Sequence, residues 1–210
     1  MAREDIEFKT CDHVILRGWF YKPVIDQENL PCLVMSHGFS ALKEMDLDAF
    51  AEYFTSELPI SCLVFDNRGF GASDVGPNES RQEIIPSVQC SDISDAVTYA
   101  QSRPDVNPSR IGIWGSSFSG GHVLFVGAAD KRVKTVLSQV PLVSGWDTFH
   151  RLIRPDFIAH LNAGFQEGEP TVQYCSHPKR LDSNGMLLNA FRSPGPSFRE
   201  ACNYHSGGQP

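Results

Sequence analysis

No run in this 210-residue chain approaches the roughly 18 consecutive apolar residues that a membrane-spanning helix requires. None of its six cysteines stands in a C-x-x-C pair, so neither a zinc site nor a redox dithiol is indicated. Positive charge is also in short supply. With 18 Lys and Arg against 25 Asp and Glu the net charge is -7, which argues against nucleic acid or an anionic membrane as the main partner. The opening residues, Met1-Ala-Arg-Glu-Asp-Ile-Glu7, are polar and acidic and carry no secretory pattern. Cys32 and Cys62 sit in apolar runs, where buried thiols are ordinary, and the expectation is a reduced, cytoplasmic protein. No internal repeat is present. Valine and isoleucine vanish from residues 176–210, a net basic stretch rich in Pro, Gly, Ser and Asn, which is expected to be irregular.

What is there suits one domain with a sizeable core: 41% hydrophobic and 20% charged residues. Residues 110–121, Arg-Ile-Gly-Ile-Trp-Gly-Ser-Ser-Phe-Ser-Gly-Gly, are the most informative. An apolar run from Ile111 to Trp114 ends at a glycine–serine turn, and a helix-compatible stretch from His122 to Ala129 follows. This is strand, tight turn, helix, with Ser117 at the apex. A hydroxyl nucleophile needs such a turn, which lifts the oxygen clear of the backbone and tolerates only small residues two positions either side. The helix below offers free N–H groups and a positive dipole end to a developing oxyanion. The usual G-x-S-x-G pattern is altered, because Ser119 stands where glycine is expected. A phosphate loop is excluded, since Gly121 occupies the lysine position. The spacing of Gly112 and Gly115 also misses the dinucleotide fingerprint. A glycine-rich turn whose serines merely cap a helix remains the alternative.

Two more apolar runs end in glycine loops. Pro31 to Met35 leads into Ser36-His37-Gly38-Phe39, and Ile60 to Phe65 leads into Asp66-Asn-Arg68-Gly69-Phe-Gly71-Ala-Ser73. Helical faces separate them: Leu47, Phe50, Ala51, Phe54 and Leu58, then Ile93, Ala96, Val97 and Ala100. Ile6–Thr10 and Val14–Tyr21 alternate as a hairpin turning at Asp12-His13, and Val133–Val140 is a sixth strand halted by Pro141. The expectation is two antiparallel N-terminal strands followed by four mainly parallel ones.

In these motifs the chain resembles the α/β-hydrolase superfamily. Ser36–Met45, Asp66–Asp74, Ile111–His122 and Ser138–Trp146 are similar, more closely, to a fungal branch of polyketide transferases and thiohydrolases related to dienelactone hydrolases and X-Pro peptidases. The likeness runs from about Ile6 to about Pro155. It implies a three-layer α/β sandwich with a mostly parallel sheet, C-terminally incomplete: a core at 1–147, a partial lid at 148–175 and an irregular tail at 176–210. It also implies Ser117 as nucleophile, and an oxyanion hole from the N–H groups of Phe39 and Phe118. Phe39, Trp146 and Phe149 would line an apolar acyl pocket, although each could equally be core. The substrate would be a small-molecule ester or thioester, including one on a polyketide synthase carrier, with water or an alcohol as acceptor. No cofactor, metal, nucleic acid or membrane is called for.

A base for Ser117 is not evident. His37 reads as a brace of its own loop, His122 as packing under the turn, and His13 as solvated. His150 and His160 fall in the lid and His177 in the tail. His205 alone stands in the family's chain order. Asp147 is a conceivable acid but reads better as a helix N-cap, and Asp66 reads as bracing its loop through Arg68. Two other readings therefore stay open. One is a pseudoenzyme that binds an acyl ligand without turnover; the other is an incomplete gene model.

Overall fold

The computed structural model describes residues 2–24, 28–77 and 79–159, in two compact units divided between Val143 and Ser144. The first unit is built on six strands: β1 (Ala2–Lys9), β2 (Ile15–Lys22), β3 (Leu30–Ser36), β4 (Ser61–Phe65), β5 (Val106–Ser116) and β6 (Val133–Gln139). They lie in the order β1-β2-β4-β3-β5-β6. β1 with β2, and β2 with β4, are antiparallel, while β4 with β3, β3 with β5, and β5 with β6 are parallel. The sequence pattern of two antiparallel strands followed by four parallel ones is what the molecule has.

Helices cover both faces because the central strands are apolar on both. In β4, Leu63 and Phe65 turn to one face and Cys62 and Val64 to the other, the two-residue alternation of a strand buried on either side. Helix α1 (Leu47–Glu57) packs Leu47 and Ala51 with Tyr21, Met35, Val64 and Trp114. On the opposite face α2 (Pro86–Ser102) and α3 (Phe118–Ala129) bring Ile93, Ala96, Val97, Val123 and Val126 against Phe20, Val34, Leu63, Ile111 and Ile113. The result is a three-layer sandwich. α2 begins well before Ile93, at a proline whose missing N–H costs nothing in a first turn. Its opening turns bury Gln89 and Asp92, polar residues that a search for an apolar stripe passes over.

The second unit carries α4 (Gly145–Leu152) and a further helical segment at 155–159. Asp147 is not the cap of α4. The Asp147 N–H donates to Ser144 Oγ (3.1 Å), so Ser144 caps the helix and Asp147 lies exposed in its first turn. Cys11, Cys32, Cys62 and Cys90 are free thiols, and burial pushes Cys32 up to about 12. Among the described residues no helix is long and apolar enough to cross a membrane. The expectations for residues 176–210, for His160, His177 and His205, and for most of 148–175 lie outside the described residues.

Candidate active site

Three parallel strands deliver three loops to the same end of the sheet, as the C-terminal ends of neighbouring strands must in an open α/β sheet. β5 ends at Ser116, and Ser117 follows with φ 55° and ψ -112°, a backbone that L residues rarely adopt. The surroundings hold it there. The Ser117 N–H donates to Gln139 C=O (2.9 Å), and the Leu142 N–H donates to Ser117 C=O (2.8 Å), so the end of β6 grips the turn from both sides. Ser117 is exposed despite this anchoring. Phe118 opens α3, so its N–H has no acceptor within the helix.

The loop after β3 meets this turn directly. A Cβ built on Gly38 would lie 3.3 Å from Ser117 Cβ, so Gly38 brings the backbone beside the serine. Phe39 follows it, and its ring meets that of Phe118 edge-on at 5.5 Å. His37 holds the loop from below. The Asn67 N–H donates to His37 Nε2 (3.0 Å), and because that nitrogen must accept, Nδ1 carries the proton and donates to Gly38 C=O (3.0 Å). Burial lowers the pKa of this imidazole, in keeping with a neutral brace.

Ser119, the departure from the usual glycine, has a task of its own. Fully buried, its hydroxyl donates to His37 C=O, and its Oγ lies 3.0 Å from Ser36 Oγ. Ser36 Oγ in turn lies 3.2 Å from Asn67 Oδ1. The ends of β3 and β4 and the first turn of α3 are thus tied by one polar network. Restoring the standard motif with Ser119→Gly is therefore expected to cost about 1 kcal/mol of stability, the worth of one lost buried hydrogen bond. Urea unfolding of both proteins measures this.

Asp66 braces its loop through a different partner from the one the sequence suggests. Its buried carboxylate accepts from the Lys43 N–H (2.9 Å), Lys43 Nζ (2.6 Å) and the Ala72 N–H (3.0 Å), tying the loop after β4 to the one after β3. Arg68 instead forks onto Asp92, with Nε–Oδ2 at 2.8 Å and Nη2–Oδ1 at 2.6 Å, and also reaches Asp12 and Glu79. The sheet order decides this, since β4 lies between β2 and β3 and its loop meets groups distant in sequence.

Residues 4–160 match the acetyl xylan esterase (AXE1) family. The chain belongs to that family. This AXE1-family chain is 37% identical over 179 residues to thiohydrolase aneE of Aspergillus aculeatus, covering 80% of this chain and 54% of that one. It is 38% identical over 143 residues to polyketide transferase grgF of a Penicillium species, covering 68% and 46%. Among solved structures, the alpha/beta hydrolase GrgF from Penicillium sp. sh18 superposes with a TM-score of 0.63 at 34% identity, covering 80% of this chain and 56% of that one. The fold is that of an α/β-hydrolase, and the chain spans about half the length of these relatives.

The structure brings Ser117, Phe39 and Phe118 together. Trp146 and Phe149 lie on α4 in the second unit, where Trp146 is exposed and its ring faces that of His150 at 3.9 Å. Among the described residues no histidine is hydrogen-bonded to Ser117, and no group of His, Cys, Asp and Glu is arranged to hold a metal. His122 is buried one helical turn beyond Phe118, and neither ring nitrogen has a hydrogen-bond partner among the described residues. Burial lowers its pKa to about 4 from 6.5. The unfolded chain thus takes up a proton at pH values where the folded chain refuses it. The contribution of this one residue is therefore expected to be full above pH 6.5 and to fall by about 3 kcal/mol as pH drops toward 4. Urea unfolding at pH 7 and pH 4.5 should show this fall, and His122→Phe should remove most of it.

Proposed function

We propose that this chain is an acyl hydrolase or acyltransferase whose nucleophile is Ser117, acting on the ester or thioester of an apolar acyl group of the polyketide kind. The observation that carries this reading is the exposed Ser117 at a left-handed turn between β5 and α3, beside the Gly38–Phe39 loop. In the proposed step Ser117 Oγ attacks the acyl carbonyl. The N–H groups of Phe39 and Phe118 stabilise the oxyanion, and as it collapses the C–S or C–O bond breaks and the leaving thiol or alcohol takes up the proton released by the Ser117 hydroxyl. Water then releases an acid, whereas an alcohol takes the acyl group on. Phe39, exposed and edge-on to Phe118, is the proposed apolar contact for the acyl chain. The thiohydrolase and polyketide transferase names of its relatives support the substrate class, with a carrier-bound thioester as one form of it. No metal or other cofactor enters this chemistry.

A second reading, binding of an acyl ligand without turnover, is favoured by one observation: no described histidine is bonded to Ser117. Triad members act as a unit, and an elbow with an oxyanion hole but no base keeps only a small part of the rate. The 210-residue chain is therefore expected to acylate slowly and turn over negligibly. The test is intact-mass analysis after incubation with a hexanoyl thioester of N-acetylcysteamine. A single hexanoyl adduct that disappears in Ser117→Ala supports the proposal. An adduct that survives the substitution removes Ser117 from the mechanism, and the absence of any adduct leaves the binding reading.

A further inference from the structure

We infer that His122 is a specificity-determining residue that hydrogen-bonds an oxygen on the acyl chain, so that the acyl substrate carries a hydroxyl or carbonyl beyond its scissile carbonyl. This rests on Ser117 as the acylated residue and adds what kind of acyl group the site takes.

The argument begins with a deficit. His122 is 6% exposed, yet among the described residues neither Nδ1 nor Nε2 has a hydrogen-bond partner. Buried polar groups are almost always paired, and a neutral imidazole has one donor and one acceptor to satisfy. His37, equally buried and only a strand away, spends both nitrogens on backbone groups. His122 therefore differs from a histidine employed to hold the fold.

Its position says what the unused pair serves. In α3, His122 stands four residues after Phe118, on the same face, and side chains of a helix lean toward its N-terminus. Here the N-terminus is Ser117. The imidazole lies edge-on to the Phe118 ring at 4.5 Å, and Phe118 lies edge-on to Phe39 at 5.5 Å. Three rings thus form a continuous row from Phe39, 56% exposed, to the buried imidazole. In the proposed placement the acyl chain lies along the two phenylalanine rings and presents its oxygen to the imidazole. A plain alkyl chain leaves that group unpaired, and an oxygenated one satisfies it. Because burial keeps the ring neutral, it can either donate to a carbonyl or accept from a hydroxyl.

The test compares acylation of Ser117 in the 210-residue chain by hexanoyl thioesters carrying one hydroxyl at C3, C4 or C5 with acylation by plain hexanoyl thioester. The expected result is that at least one hydroxylated thioester acylates roughly tenfold faster than the plain one. The preference should vanish in His122→Phe and return in part in His122→Asn. In the wild-type protein, the ring ¹⁵N resonances of His122 should also shift when the hydroxylated acyl group is attached and stay put with the plain one. An equal preference in wild type and His122→Phe, or unmoved ring resonances, overturns the inference while leaving Ser117 as the nucleophile. Loss of adduct from every thioester, with Ser117 never acylated, overturns both.

Discussion

Replacing Arg68 by methionine is expected to destabilise the folded chain by about 3–5 kcal/mol, the range for breaking a buried ion pair from one side. Both ends of the pair are out of solvent, with Arg68 6% exposed at its side chain and Asp92 0%. The guanidinium meets both carboxylate oxygens of Asp92 and reaches Asp12 in the β1–β2 turn and Glu79 in the loop ahead of α2. One side chain therefore joins three parts of the first unit. Without it Asp92 remains in a place where burial already pushes its carboxyl up to about 6, with no cation to offset the cost. Adding Asp92→Leu to the methionine variant should recover a good part of the loss, because an apolar pair leaves no charge stranded. Urea unfolding of the single and double variants measures both effects. A single variant within 1 kcal/mol of wild type would show that the cluster holds little.

Gly115→Ala is expected to cut acylation of Ser117 by about a hundredfold, the order of loss that follows from misplacing a reacting group by roughly 1 Å. The new Cβ would lie 2.2 Å from Ser119 C=O oxygen, 2.5 Å from its carbonyl carbon and 3.0 Å from Gly120 N. All three are backbone atoms, so no side chain can swing aside. The first turn of α3 must retreat from the end of β5, carrying Ser117 and Phe118 with it. Overpacking of this kind also costs about 1–3 kcal/mol of stability. Acylation rate and thermal unfolding, measured on the same preparation, separate the two effects. A variant that acylates at the wild-type rate would show that the turn does not set the serine.

The contrast between Gly115 and Ser119 shows what the sequence could tell. Gly115, Ser117 and the apolar run before them announce a strand–turn–helix because the constraint is local, written into neighbours two residues apart. The same holds in part for α1: of its Leu47, Phe50, Ala51, Phe54 and Leu58 stripe, Leu47, Ala51 and Phe54 pack on the core, while Phe50 is exposed and Leu58 is the C-cap beyond the helix. Ser119 looked like a weakened motif, since what it bonds to lies 82 residues away in the chain. The partners of Asp66 and Arg68 were illegible for the same reason. Lys43, Asp92 and Asp12 are brought to them only by the strand order, and no spacing rule links them. The early turns of α2 show no apolar stripe in the sequence because they bury Gln89 and Asp92. His122 was legible as a residue packed under the turn. Its unpaired nitrogens were not, because a sequence lists donors and acceptors without showing which of them meet.

The most direct test of the central claim is the site of covalent capture by a fluorophosphonate probe on the 210-residue protein. A nucleophile at a built elbow reacts even when turnover is negligible. The expected result is slow labelling, one probe per chain, on the peptide containing Ser117, absent in Ser117→Ala. Labelling on any other residue, or labelling unchanged in Ser117→Ala, would contradict the account.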